Sequence, residues 1–365
     1  MKTFGSRLGL MKTHWLPCFF ALLFAAAPTA SSTAESDPLQ FDDTPLDDLL
    51  KYPEWFKQSF LDLDEDLKEA LDAGKKGIVV YFGQKRCAYC KMLMEVNFQT
   101  PDIVSYTREH FDVIPIDIWS PEQLTTPSGE IMSEREFSQM LGTNFTPSLV
   151  FFDGDGRIAL RLRGYYPPYQ FRAALEYVAG GHYRREKFPV YMARGDKTLR
   201  FEAGDLVEEP FFSPPPYNLD RSRFPAELPL VVFFEQGDCH ACDILHTQPL
   251  RRQTVRHLFN RFESVQLDIG SDVPIVKPDG TPSTARQWAE ELGIFYAPSI
   301  LFFDEHGKEI IRVDSVVHFF RLRNVLNYIV SRGYVTEPNF LRWSSRTRRV
   351  LDTPAAAGQE QNVDR

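Results

Sequence analysis

The chain has 365 residues, 43% of them hydrophobic, enough for two ordinary domains with real cores and too many for a disordered polymer. Its 41 Lys and Arg against 50 Asp and Glu give a net charge of −9. Without the first 34 residues, which hold Lys2, Arg7 and Lys12 and no acid, 38 basic against 50 acidic residues leave −12, a sign that repels phosphate backbones and argues against nucleic acid as a partner.

Basic residues up to Lys12 precede an apolar run from Trp15 to Ala27, and small residues follow, the pattern of a transport signal over 1–34. The apolar run is about 13 residues, short of the roughly 20 that a membrane-spanning helix needs. Ser32-Thr33-Ala34 suits cleavage before Glu35, and cutting after Ala30 is the other option. Cys18 lies inside the apolar run, which is not the place of a lipid-attachment cysteine. No later stretch is long and apolar enough to span a bilayer, and Asn362-Val363-Asp364-Arg365 is no retention signal. The expectation is a soluble exported protein, most simply of a bacterial periplasm.

The segment from Leu61 to Ala73 suggests an amphipathic helix, and Gly77 to Phe82 a buried strand running straight into Cys87-Ala88-Tyr89-Cys90. A helical pattern continues through Leu93. Phe111 to Ile118 is a second strand, followed by a loop with Pro121, Pro127 and Gly129 and a helix near Ser133 to Leu141. Ser148 to Phe152 and Arg157 to Leu162 flank Asp153-Gly154-Asp155-Gly156, which reads as a hairpin turn because the later ligands of a calcium loop are missing. Phe171 to Val178 closes the unit as a helix. Strands crossing over through helices and ending in a hairpin give an α/β unit, a mixed central sheet flanked by helices.

The unit occurs twice. At an offset of 152, Val79-Val80-Tyr81-Phe82 falls on Val231-Val232-Phe233-Phe234 and each cysteine on its counterpart. At 151, Asp117 falls on Asp268, Pro147-Ser148 on Pro298-Ser299, Phe151-Phe152-Asp153 on Phe302-Phe303-Asp304, and Tyr177 on Tyr328. The expected organisation is a signal peptide over 1–34, a first domain over 35–183, a Pro-rich linker over 184–228, a second domain over 229–336 and a C-terminal tail over 337–365. The prolines exclude continuous helix or central strand in the linker, with room for a short hairpin near Thr198 to Val207. The second copy lacks a counterpart of the Leu61 to Ala73 helix, so the linker or the first domain must supply that packing. The tail from Leu341 is basic and then polar, and most of it is expected to be mobile.

Once the signal is gone, four cysteines remain, in two pairs of identical spacing: Cys87 with Cys90, and Cys239 with Cys242. So few cannot form a disulfide framework. The 148 residues between Cys90 and Cys239 are too many for an ordinary four-cysteine zinc site, and an i, i+3 bridge closes too small a loop to stabilise much. At a strand-to-helix junction the pair suits thiol exchange, with the first sulfur exposed on the opening turn. A thiol of pKa near 8.5 is only about 3% ionised at pH 7, and one near 6.5 is roughly 75% ionised. That shift needs about 2.7 kcal/mol of anion stabilisation. A helix terminus gives only about 0.3 to 1 kcal/mol, so opening-turn amides and the second thiol must add the rest. Cys87 and Cys239 are therefore expected to attack, and Cys90 and Cys242 to release the mixed disulfide. This chemistry calls for no cofactor and no metal.

A strand, a C-x-x-C at a helix start and a downstream proline before a hairpin resemble the thioredoxin family, in both copies. The resemblance implies two thioredoxin-like domains, with Thr146-Pro147 and Ala297-Pro298 as cis peptide bonds facing the cysteines and forming the substrate-binding positions. Val80-Tyr81-Phe82-Gly83-Gln84, Pro115-Ile116-Asp117 and Gly164-Tyr165-Tyr166-Pro167-Pro168 make the first copy similar to SoxW-type periplasmic thioredoxins. That narrower resemblance implies a reductase of disulfides in exported proteins, fed by a membrane thiol electron donor. Disulfide isomerase or oxidase activity, or a redox-silent scaffold with a degenerate second domain, are the alternatives.

Against the family pattern, Tyr81 and Phe233 stand where a buried Asp helps deprotonate the second thiol, leaving water or Glu95 to take the Cys90 proton. Lys85-Arg86 favours a Cys87 anion, whereas Asp238 opposes that of Cys239 unless His240 compensates. His240 either tunes the sulfur or is a solvated helix-start residue, and Tyr165 to Tyr169 is either a docking lip or core packing.

Overall fold

The computed structural model describes residues 37–195 and 204–351. The transport signal expected over 1–34, most of the hairpin expected near 198–207 and the end of the tail lie outside them.

Helix α1 (Leu63–Asp72) starts where the Asp62 carboxylate accepts the Glu65 amide, and it buries Leu63, Leu67 and Ala70. β1 (Gly77–Gly83) offers water no polar face and is buried along its whole length, as a central strand must be. After it come α2 (Ala88–Glu95), α3 (Pro101–His110) with proline in its first turn, and β2 (Phe111–Asp117), parallel to β1. β3 (Gln123–Thr125) and β4 (Ile131–Ser133) pair as a small ribbon in the stretch expected to be plain loop. α4 (Glu134–Met140) begins with a reciprocal Ser133–Glu136 capping box. β5 (Ser148–Asp153), β6 (Ile158–Arg163) and α5 (Pro168–Ala179) complete the repeat, whose sheet runs β2-β1-β5-β6 with residues of α1 and α4 on one face and of α2, α3 and α5 on the other.

α6 (Phe188–Gly195) buries Phe188 and Met192 in the first repeat, and β7 (Tyr217–Asn218) precedes the second. That repeat contains β8 (Leu230–Glu235), α7 (His240–Thr247), α8 (Gln253–Phe259), β9 (Glu263–Asp268), β10 (Pro274–Val276) and β11 (Pro282–Thr284). It continues with α9 (Ala285–Leu292), β12 (Ser299–Phe303), β13 (Glu309–Val313), α10 (Phe319–Val330), α11 (Gly333–Thr336) and α12 (Phe340–Leu351). Its sheet has the same order, β13-β12-β8-β9.

The packing that the second copy lacks in its own sequence comes from the Pro-rich connection. β7 pairs with β10, and Leu219 is buried among Leu230, Val232 and Leu267, where the first repeat uses Leu63 and Leu67 of α1. On the other face Phe211 stacks on Phe259 with ring centres 4.6 Å apart, and the Ser213 amide donates to Ser264 as Lys57 does to Val113. The described part of the tail, residues 337–351, is likewise packed down. Phe340 is buried against Phe145 and Tyr328, at 5.3 and 5.5 Å between ring centres, and Trp343 packs on Tyr328 at 5.1 Å, so this side of α12 covers the second core while Leu341 packs on the first.

The repeats meet through equivalent segments. The Val316 amide donates to the Tyr165 carbonyl at 3.1 Å, and Gly164, with φ of +102°, faces Ser315, its own counterpart, at a distance that leaves no room for a Cβ. Tyr166 packs on Phe295 and Tyr296, so the aromatic run after β6 is core at this junction, with Tyr169 exposed.

Candidate functional site

In each repeat the buried central strand ends at a C-x-x-C helix start. Cys87 is the N-cap of α2, and its sulfur accepts the Cys90 amide at 3.0 Å; Cys239 caps α7 and accepts the Cys242 amide at 3.1 Å. Both pairs are disulfides, with Cα atoms 5.1 and 5.2 Å apart. The opening amides already point at the first sulfur, so a thiolate there would be met by donors and by the positive end of the helix.

Thr146-Pro147 and Ala297-Pro298 are cis. The Thr146 carbonyl oxygen and hydroxyl lie 3.6 and 3.4 Å from the Cys87 sulfur, and the Ala297 carbonyl lies 3.6 Å from that of Cys239. Gln84 donates to the Thr146 hydroxyl at 2.9 Å and accepts from the Trp119 indole at 3.0 Å, which fixes that side of the first site.

The first sulfur of each pair is not exposed, contrary to the sequence reading: Cys87 is 5% and Cys239 7% accessible. At Cys87 the reason is tertiary. A cavity of about 110 Å³ over Cys87 is walled on one side by Gln84, Phe145 and Thr146 and on the other by Phe320, Arg321, Phe340 and Leu341 of α10 and α12. The stretch ahead of α1, residues 37–62, forms an N-terminal strap that fastens this arrangement. Asp43 accepts the Tyr89 hydroxyl and the Phe320 and Arg321 amides, each at 2.8 Å, and Tyr89 accepts the His318 amide at 2.9 Å. Burial pushes the Tyr89 hydroxyl far above its ordinary pKa, so it stays a donor. Tyr89, one of the two residues between the cysteines, is thus an anchor, a role that only its phenol in a C-x-x-C motif could have hinted at.

At the second site His240 binds Asp37 of the same strap at 2.7 Å. Burial raises the Asp37 carboxyl, but hydrogen bonds from His240 and Leu39 outweigh that and hold it below its usual value. His240 is therefore paired at the helix start, though not with Asp238. Tyr81 and Phe233, at the positions of a buried acid, are fully buried, and the Tyr81 hydroxyl has no partner. Glu95 is exposed on α2 and pairs with Lys91 at 3.8 Å. The Asp153 carboxylate accepts the Asp155 and Arg157 amides at 3.0 Å, the hydrogen bonding of a tight turn.

The second repeat also buries a charge cluster that the sequence reading missed. His246 contacts Glu235 at 3.0 Å and Glu209 at 3.2 Å, and Gln266 donates to Glu235 at 2.9 Å. Burial lowers the His246 pKa, but the two carboxylates outweigh it and raise the group above its usual value. The sequence signal was a Glu closing an apolar strand; the first repeat has Gly83 and Met94 at the equivalent places.

Paired sulfurs at a helix start, opposed by the carbonyl of the residue before a cis-proline, define a thiol–disulfide oxidoreductase with two C-x-x-C disulfides. A model of the thioredoxin-like domain matches residues 63–179 and 225–330, and the chain belongs to that family. A thioredoxin-fold protein from Helicobacter pylori is 25% identical over 32% of this chain and 83% of its own, with a TM-score of 0.30. The C-terminal domain of Neisseria meningitidis DsbD in the reduced form is 17% identical over 28% and 81%, at 0.22. Human ERp44 is 13% identical over 76% and 56%, at 0.24. No curated protein matches. Among the described residues no helix is long and apolar enough to cross a membrane.

Proposed function

We propose that the protein is an exported reductase of disulfides in other proteins, working through Cys87. The observation that carries this reading is the Cys87 sulfur at the α2 N-terminus, opposed by the carbonyl of Thr146 before cis-Pro147. The Cys87 thiolate attacks a substrate disulfide, and one substrate thiolate leaves and takes a proton. Cys90, deprotonated, then attacks the Cys87 sulfur of the mixed disulfide and releases the second substrate thiol. The substrate gains two electrons, the pair is left oxidised, and a dithiol donor restores it. Thr146 with Pro147, and Ala297 with Pro298, are the substrate-binding positions, the first of them reached when α10 and α12 move off the groove.

Export rests on the basic and apolar start of the chain, and reduction and a membrane thiol donor on the similarity of the first repeat to SoxW-type thioredoxins. Cys239 and Cys242 are proposed to form a second exchange site that relays electrons to the first. Insulin reduction by the wild type and by Cys87→Ser, Cys239→Ser and the double variant tests the assignment; full activity in the double variant rejects it in favour of a scaffold. The equilibrium of each pair with glutathione separates reductase from isomerase or oxidase. Absence of a Cys87–Cys239 disulfide in the Cys90→Ser, Cys242→Ser variant under every redox condition rejects relay.

A further inference from the structure

Arg321 lies in the first turn of α10, in the second repeat, and is only 7% accessible. Its guanidinium stacks 3.4 Å from the centre of the Tyr89 ring and donates to the Thr146 carbonyl at 2.8 Å and to the Val316 carbonyl at 3.4 Å. Among the described residues no carboxylate oxygen lies within 4.0 Å of it. Asp43 is already occupied by the Tyr89 hydroxyl and two backbone amides. Asp43 therefore acts on the guanidinium only through space, and direct contacts with carbonyls and a ring face compensate a buried cation only in part, so a second anion nearby is favourable. The Cys87 sulfur is 3.6 Å from the same Thr146 oxygen, so sulfur and guanidinium nitrogen are at most 6.4 Å apart, the sum of the two distances. In the disulfide that sulfur is neutral.

We propose that Arg321 is a positioning residue supplied by the second repeat to the Cys87 site of the first: it holds the Thr146 carbonyl beside the sulfur and furnishes the counter-charge of the Cys87 thiolate. When a dithiol donor reduces the pair, the Cys87–Cys90 bond takes up two electrons and the donor becomes a disulfide. Cys90 takes a proton, Cys87 remains a thiolate, and the remaining donor proton goes to water. In that state the buried cation gains a second anion besides Asp43, so docking of the second repeat favours the reduced form of the first. The other charged or titratable groups lining the cavity over Cys87 are Arg86 from its own loop, Asp43 from the strap and Tyr89 from α2, whereas the Lys85 ammonium lies 3.9 Å from Asp117 and the His318 amide donates to the Tyr89 hydroxyl. Gln170 stands at the equivalent position in the first repeat, so Cys239 receives no such cation in return.

The inference rests on the reading of Cys87 as the attacking thiol. Its test uses the full chain carrying Cys239→Ser and Cys242→Ser, reduced, with the rate of iodoacetamide alkylation at Cys87 followed against pH. Arg321→Met should raise the midpoint by about one pH unit, roughly tenfold less thiolate below it, and Arg321→Lys should return most of the shift. The glutathione equilibrium should move toward the disulfide by a similar factor. A folded Arg321→Met protein with the wild-type midpoint overturns the proposal, and so does a Lys variant as shifted as the Met variant. If substitution at 321 unfolds the chain, the wild type decides. Its Arg321 Nε–H resonance should move with the Cys87 titration in the reduced protein, and indifference to that titration overturns the proposal. Cys87→Ser that keeps full insulin reduction would reject the functional reading instead, leaving the titration to judge Arg321 separately.

Discussion

Phe145 and Tyr296 hold equivalent places, each two residues before a cis-proline, and each is buried in the core of the repeat to which it does not belong. Phe145 packs against Phe340 and Tyr296 against Tyr166, so the loops that carry the two cis-prolines also join the repeats.

Truncation at either place should therefore weaken both repeats. Phe145→Ala and Tyr296→Ala are each expected to cost about 3 to 5 kcal/mol, the range for a buried aromatic. Urea unfolding followed by tryptophan fluorescence checks this, and a loss below about 1 kcal/mol in both variants contradicts the exchanged packing.

Phe340→Ala should uncover Cys87 without changing the groups that charge it. Reaction of the reduced protein with a bulky maleimide polymer is expected to speed up several-fold relative to iodoacetamide. An unchanged ratio of the two rates at constant pH means that α12 is not what covers the sulfur.

Leu219 stands in for a missing helix. Leu219→Ala should destabilise the second repeat by about 2 to 5 kcal/mol, as loss of a buried leucine does, whereas Leu228→Ala, at a partly exposed place in the same connection, should cost under about 1 kcal/mol. Equal effects in denaturant titrations would mean that the connection is a passive spacer.

His246 is raised above its unfolded pKa by Glu235 and Glu209, so protons bind the folded state more tightly. Its contribution is fully present below about pH 6.5, the unfolded value, and is lost as pH rises through the folded one. Unfolding free energy of the wild type should fall across that window, and His246→Gln should flatten the curve; parallel curves refute the linkage.

Cys87 should ionise at lower pH than Cys239. Arg86 and Arg321 line the cavity over the first, whereas Asp238 precedes the second in sequence and His240 is engaged by Asp37. Alkylation of the two single-pair variants against pH measures the order, and an earlier midpoint for Cys239 reverses the assignment.

The sequence alone determined the repeated strand, C-x-x-C, helix and proline order, because burial of β1 and β8, the caps of α2 and α7 and the Asp153 turn are written in residues close to one another. The same local logic put both cysteine pairs at strand-to-helix junctions. Tertiary structure alone decided what closes over them. Asp43 reaching Arg321, Phe145 entering the second core, Leu219 replacing a helix and Phe340 holding the tail down join residues far apart in the chain. No periodicity connects such residues, since which apolar face meets which is settled only when both repeats are folded and share their remaining surface.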